Sequence, residues 1–135
     1  FSPRLPGLRV LLADDQAISQ RVSGALLQSY GCVVVTVTDG SEVVDALRAA
    51  RFDLLMLDGQ MLEMHGWEVA RLIRAGEAGE EARQLPILAL TADLSLEAKL
   101  LWQSSGADLV LGKPSSLDAL AEAIKHLRAT VGAAA

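Results

Sequence analysis

Short, wholly apolar runs that stop on polar residues, spaced by amphipathic stretches, constrain this chain more than any other feature. Val10-Leu11-Leu12-Ala13 ends at Asp14-Asp15, and Leu54-Leu55-Met56-Leu57 ends at Asp58. Ile87-Leu88-Ala89-Leu90 ends at Thr91, and Leu109-Val110-Leu111 leads into Gly112-Lys113-Pro114. Runs this short, without polar alternation, suit strands whose two faces are both covered. A fifth β-branched run, Val33 to Val37, is strand-like on propensity.

Between the runs the apolar period changes from continuous to helical. The spacing predicts helices over about 16–30, from the Asp39-Gly40-Ser41 turn through 50, over 67–75, 94–104 and 116–128. Their expected inward stripes are Ile18, Val22, Ala25 and Leu26 in the first, and Val43, Val44 and Leu47 in the second. Val69, Ala70, Leu72 and Ile73 mark the third, and Leu117, Leu120, Ile124 and Leu127 the last. Gly31 and Gly106 are natural helix stops. Residues 76–84 read as a polar surface connection.

Buried strands alternating with helices predict a doubly wound α/β domain with a parallel sheet. Right-handed crossovers, and a site drawing on strands one, three, four and five, favour the strand order 2-1-3-4-5. In such a sheet the carboxyl ends share one edge, and ligands bind in the crevice there. The polar residues that end the runs therefore meet.

A chain of 135 residues fits one domain. Residues 1–7 read as an entering linker, 8–130 as the domain and 131–135 as a tail. Mean hydropathy is +0.32, yet no apolar stretch approaches the roughly 20 residues of a membrane span. The apolar content belongs to buried strands, and no membrane contact by this domain is expected. A net charge of −5 argues against a nucleic-acid surface. The single cysteine, Cys32, rules out an internal disulfide and reads as a small buried hydrophobe in a reducing cytosolic setting.

Two adjacent acids at a strand exit offer the hard oxygens that Mg²⁺ requires. Asp14-Asp15 equally suits a cap for the helix that starts near Gln16. Asp58 alone would be a turn residue; beside a cation its carboxylate can attack phosphorus and form an aspartyl phosphate. Thr91 and Lys113 add a hydroxyl and an ammonium, the donors that phosphoryl oxygens need. His65, with only His126 far along the last helix for company, reads as a loop side chain.

VLLADD (10–15), LLMLDGQMLEMHGW (54–67), LALTAD (88–93) and LGKP (111–114) together resemble the receiver domain of two-component signalling, over roughly residues 8 to 128. The resemblance implies a CheY-like (flavodoxin-like) fold and makes Asp58 the acceptor of phosphate from a histidine kinase or a histidine phosphotransfer protein. Asp14, Asp15 and Asp58, with the backbone carbonyl of Gln60, would hold Mg²⁺ or Mn²⁺. Thr91 and Lys113 would bind the phosphoryl oxygens. DDQAISQRVSGALLQSYG (14–31) and DGQM look like receivers attached to hybrid sensor kinases, which feed phosphorelays from the cytoplasm. The apolar face of the first helix's exposed end is where a phosphotransfer partner would dock.

Three positions depart from the family pattern. Leu62 replaces a common Pro, and His65 an acidic residue. Val110 stands where an aromatic ring usually turns inward as the Thr moves, a swing that Val cannot make. These departures keep a second possibility open, a receiver-like interaction module that works without phosphate. An aspartyl phosphatase would want a general acid two residues after its nucleophile, and Gln60 cannot serve.

Overall fold

Strands made of Leu, Val, Ile and Met on both faces need cover on both faces, and the chain supplies it with helices. A computed structural model describes residues 7–59, 61, 64–113 and 117–134, with the backbone alone at 117, 118 and 128–134. The strands are β1 (Arg9–Ala13), β2 (Val33–Val37), β3 (Leu54–Asp58), β4 (Ile87–Thr91) and β5 (Leu109–Gly112). All pair in parallel, in the expected order β2-β1-β3-β4-β5. The helices are α1 (Ala17–Ser29), α2 (Gly40–Ala49), α3 (Gly66–Arg74), α4 (Leu96–Ser105) and α5 (Leu117–Ala134). A 3₁₀ helix at Glu80–Gln84 interrupts the connection expected over 76–84.

Successive buried side chains on the central strands β1, β3 and β4 enter two different cores. Leu11, Leu55, Leu57 and Ile87 pack under α2, α3 and α4, against Val43, Val69, Ile73 and Trp102. Val10, Leu12, Met56 and Leu88 pack under α1 and α5, against Leu27, Leu120 and Ile124. Emptying one such position by Leu→Ala costs about 2–5 kcal/mol. The register then fixes the site: Ala13 pairs Leu57, Asp58 pairs Leu90 and Thr91 pairs Gly112. One step beyond these pairs, Asp14 and Lys113 leave the sheet at the same edge as Asp58 and Thr91.

The stop after α1 and the cap of α2 behave as the sequence predicts. Asp39 caps α2 by accepting the Glu42 N–H at 2.9 Å. Gly31, past the end of α1, has φ of 92°, a backbone that side chains resist. The expected inward stripe of α1 is corrected. Ile18 is 78% and Val22 56% exposed, Ala25 is exposed, and the helix buries Gly24 and Leu27 instead. Gly24 and Leu27 are three apart and share a face. Periodicity locates an apolar stripe on α1, but here it points outward. Helix α4 starts at Leu96 rather than Leu94, because Ser95 caps it by accepting the Ala98 N–H at 3.2 Å. Helix α5 runs to Ala134 rather than stopping at Arg128, in keeping with its Ala-rich end.

Candidate functional site

The site is assembled from four strand ends, and each side chain is held by local backbone. Asp14 is buried; its N–H donates to the Val37 carbonyl at 3.1 Å and its Oδ1 accepts the Gln16 N–H at 3.0 Å. Gln16, not an Asp, occupies the N-cap of α1 and makes no side-chain cap. Asp14 thus does a capping-like task while its second oxygen faces the crevice. Asp15 follows, partly exposed. Asp58 ends the wholly buried strand β3 and is itself 8% exposed.

Carboxylate oxygens of Asp14, Asp15 and Asp58 lie within 4.8 Å of one another. Like charges at that spacing repel strongly where water is scarce. Lys113 offsets part of this, with Nζ 2.7 Å from Asp58 Oδ1 and 3.5 Å from Asp14 Oδ2. Nζ also reaches Ser19 Oγ on α1 at 3.5 Å. Three negative groups against one ammonium leave an excess of two negative charges at the crevice. Oxygen donors with that excess suit a hard divalent cation.

Thr91 sits across from Asp58, 9% exposed, and its carbonyl accepts the Lys113 N–H at 2.9 Å. Its Oγ1 accepts the Asp93 N–H at 3.1 Å, which leaves the hydroxyl proton available to an acceptor. Gly59 makes room for this hydroxyl: a β-carbon there would come 3.2 Å from Thr91 Oγ1. The loop from β3 returns to α3 with the Gly66 N–H on the Gly59 carbonyl, at 3.2 Å.

The proposed Gln60 carbonyl ligand, Leu62 and the Lys113-Pro114 bond lie outside the described residues. His65 precedes α3, exposed, its ring stacked on Trp67 with centroids 5.7 Å apart. The Glu68 carboxylate accepts its backbone N–H at 3.3 Å. His65 therefore belongs to the start of α3, as a loop side chain. Val110 is half-buried against the core beneath α3 and α4.

Sequence reasoning missed three contributors. Gln20 ties α1 to the site, its side-chain amide bonding the carbonyls of Asp14 and, at 3.1 Å, Val37. Ser19 touches Lys113. Trp102 is buried on α4 against Gly66, next to the Asp58 backbone. Position on α1 could have suggested the first two, since residues 19 and 20 follow the acid pair by about one turn. Nothing local marks Trp102, whose neighbours are long-range.

A hydroxyl and an ammonium facing three carboxylates at the carboxyl edge of a 2-1-3-4-5 sheet mark a doubly wound α/β domain whose polar site lies in the crevice where such sheets bind ligands. Residues 10–125 match the response regulator receiver domain family. The chain belongs to that family and is a receiver domain of two-component phosphorelay signalling. It is 38% identical over 124 residues to the sensor protein GacS of Pseudomonas syringae pv. syringae, covering 92% of this chain and 14% of the relative. It is 35% identical to the CAI-1 autoinducer sensor kinase/phosphatase CqsS of Vibrio cholerae, covering 83% of this chain and 16% of that protein. The chain thus spans a small part of these relatives. Among solved structures, it superposes on the receiver domain of a sensor histidine kinase from Pseudomonas aeruginosa with a TM-score of 0.79 at 31% identity, over 93% of this chain and 98% of that one. That structure holds a magnesium ion in its active site cleft. The chemotaxis protein CheY4 of Vibrio cholerae gives a TM-score of 0.82 at 30% identity, over 90% and 98% of the two chains. Among the described residues, no helix is long and apolar enough to cross a membrane.

Proposed function

We propose that Asp58 is the phosphoacceptor and that a phosphohistidine is its donor. A carboxylate oxygen of Asp58 attacks phosphorus; the O–P bond forms as the P–N bond breaks, and the electron pair returns to the imidazole nitrogen. Lys113 and Thr91 donate to the phosphoryl oxygens, Lys113 by moving its 2.7 Å contact from Asp58 to the new group. The juxtaposition of Asp58 with Lys113 and two further carboxylates carries this reading.

The all-oxygen donor set with its excess of negative charge fits Mg²⁺ or Mn²⁺, held by Asp14, Asp15, Asp58 and the Gln60 carbonyl. When bound, the ion neutralises charge on the transferring group. Lys113 adds positive charge from the chain itself.

The parent protein is best read as a hybrid sensor kinase in the cytoplasm or anchored to its membrane, and the onward partner as a histidine phosphotransfer protein. The docking surface is the outward stripe of α1, where Ile18 and Val22 are exposed. Beside it a groove of about 360 Å³ between α1 and α5, lined by Val22, Leu26, Leu90 and Leu120, runs to Lys113. Apolar contact there brings a partner's histidine to the crevice mouth. The domain has no surface of its own for nucleic acid or membrane in this reading.

The test is phosphotransfer with Mg²⁺, from acetyl phosphate and from a phosphohistidine protein, on the native chain and on Asp58→Asn. Labelling confined to the native chain supports the proposal. Equal labelling of both overturns it, and no labelling of either favours an interaction module that works without phosphate.

A further inference from the structure

Strand β2 forms one edge of the sheet and is β-branched throughout, Val33-Val34-Val35-Thr36-Val37. It has none of the charges, prolines or bulges that commonly blunt an exposed edge. Val33 and Val35 are 48% and 39% exposed, and Thr36 is exposed on the opposite face. The outer margin of the strand is thus open on both faces of the sheet.

The backbone of β2 is spent on one side only. The Val33 N–H donates to the Leu8 carbonyl at 2.8 Å, and the Val37 carbonyl accepts the Asp14 N–H at 3.1 Å. With Arg9 registered on Val33 and Ala13 on Val37, residues 33, 35 and 37 turn their peptide groups toward β1. Those of Val34 and Thr36 point away from the sheet. At the flanks the supply of donors ends, because the Cys32 N–H donates to the Leu27 carbonyl at 3.2 Å and the Thr38 N–H to Glu42 Oε1 at 3.0 Å. Among the described residues, nothing bonds the two donors and two acceptors of Val34 and Thr36.

We propose that β2 is a self-association edge, which pairs antiparallel with β2 of a second copy of this chain about a two-fold axis at Val35. In that register Val34 faces Thr36 of the second copy, and Thr36 faces its Val34. Each such pair exchanges two N–H···O=C bonds, so all the outward donors and acceptors of both copies are used. Sliding the strands by two residues would set Val34 or Thr36 against itself. The remaining groups would then meet Cys32 or Thr38, whose N–H groups are already spent.

This self-matching is what selects a second copy as the occupant. A two-fold contact consumes the edge on both chains and closes, with no further copy able to add. At the axis Val35 meets Val35 of the second copy with β-carbons about 4.5–5.5 Å apart, and Val33 lies beside Val37 of that copy. The two exposed valines are covered, and two five-stranded sheets become one. Five residues a side make a small contact, which belongs with weak and reversible associations. The carboxyl ends of the two halves point in opposite directions, so both crevices stay open. The association therefore does not depend on phosphate at Asp58.

Sedimentation equilibrium of the chain from about 10 μM to 1 mM tests this, with neither Mg²⁺ nor a phosphate donor present. A reversible dimer is expected at the upper end. In the same native samples, amide hydrogen exchange at Val34 and Thr36 should slow as concentration rises, a readout that needs no variant. Val35→Lys sets two ammonium groups opposite each other at the axis and should weaken the dimer at least about tenfold. Val35→Glu should do the same, and mixing the two variants should restore a dimer of one copy of each. Unfolding midpoints check that both variants fold. A native chain that stays monomeric throughout overturns the proposal and leaves the edge to an extended segment of another protein. Exchange at Val34 and Thr36 that ignores concentration also overturns it. So does a dimer unmoved by both Val35 variants but lost in Leu96→Asp with Leu100→Asp, residues 72% and 54% exposed on α4. Variants that dissociate alone and fail to pair when mixed overturn the register at Val35, and the self-matching edge with it.

Discussion

Lys113 Nζ stands 2.7 Å from Asp58 Oδ1 and 3.5 Å from Asp14 Oδ2, so one ammonium serves two of the three clustered carboxylates. A bound cation and Lys113 therefore answer the same charge. Removing the ammonium leaves the carboxylates to repel one another in the metal-free chain, and frees their charge for a cation.

Lys113→Gln is accordingly expected to lower metal-free stability by about 1–3 kcal/mol, because it strips the partner from two buried carboxylates. It should also enlarge the gain in unfolding midpoint on adding Mg²⁺, since ligand binding to the folded state stabilises by mass action. Thermal unfolding in chelator and in a Mg²⁺ series checks both. A smaller Mg²⁺ gain in the variant than in the native chain would count against competition between Lys113 and the ion.

Gly66 starts α3 where no side chain fits. A β-carbon at Gly66 would come 2.2 Å from the Asp58 carbonyl oxygen and 2.5 Å from the Trp102 ring. Gly66→Ala is expected to cost more than about 2 kcal/mol through forced displacement. Adding Trp102→Phe should not recover the loss, because the backbone oxygen of Asp58 remains in the way. Urea unfolding of the single and double variants decides the point, and full recovery would show that the ring alone sets the limit.

Much of the fold could be read before any coordinates, and particular residues show where legibility stops. Asp14, Asp58, Thr91 and Lys113 announce themselves because each ends an apolar run, and parallel register brings run ends together. Asp39 declares the start of α2 through chemistry within three residues, whereas Leu94 extends the apolar pattern past the Ser95 cap and blurs the start of α4. Ile18 and Val22 misled, since a 3.6-residue period is the same whether an apolar stripe faces a core or a partner. Trp102 was silent, because its value comes from chain segments far away in sequence. Contacts of that kind exist only once the sheet is closed.

Arg74 fastens α3 to the far side of α4. Its guanidinium donates to the Gly106 carbonyl at 3.0 and 2.8 Å, to the Arg83 carbonyl at 2.6 Å and to Asp108 at 2.9 Å. Burial pulls its pKa below the usual arginine value, and Asp108 pulls it back up. Lysine can supply the charge but not the fork. Arg74→Lys is expected to cost about 1–3 kcal/mol by leaving carbonyls unpaired, with acetyl phosphate labelling of Asp58 unchanged. Chemical unfolding and a labelling time course measure the two separately.

Asp39 gives an acid-side prediction whose sign follows from its bonds. The Glu42 N–H, followed by the Ser41 hydroxyl, lowers its carboxyl from the ordinary 3.8. A carboxyl depressed in the folded state binds its proton more readily when unfolded, so its stabilisation is present above the unfolded value and lost as pH falls through the folded one. Below about pH 4 the native chain should therefore lose stability that Asp39→Asn, still able to cap, does not lose. Unfolding midpoints from pH 6 down to about pH 3, compared between the two, would reveal parallel slopes if Asp39 contributed nothing.

The outward stripe of α1 separates chemistry from recognition. Ile18 and Val22 are mostly solvent-exposed and contribute little to the core. Ile18→Asp with Val22→Asp should leave the unfolding midpoint within about 0.5 kcal/mol of native, and labelling by acetyl phosphate should be unchanged, because Asp58 and its neighbours are untouched. In the proposed reading, exposed apolar side chains beside a groove that ends at Lys113 are nevertheless where a protein donor would gain affinity. Transfer from a phosphohistidine protein should slow about tenfold or more, the loss of one or two anchor residues. The informative quantity is the ratio of the two rates within one variant. Equal slowing by small-molecule and protein donors would place the damage in the site, whereas slowing by the protein alone assigns the stripe to the partner.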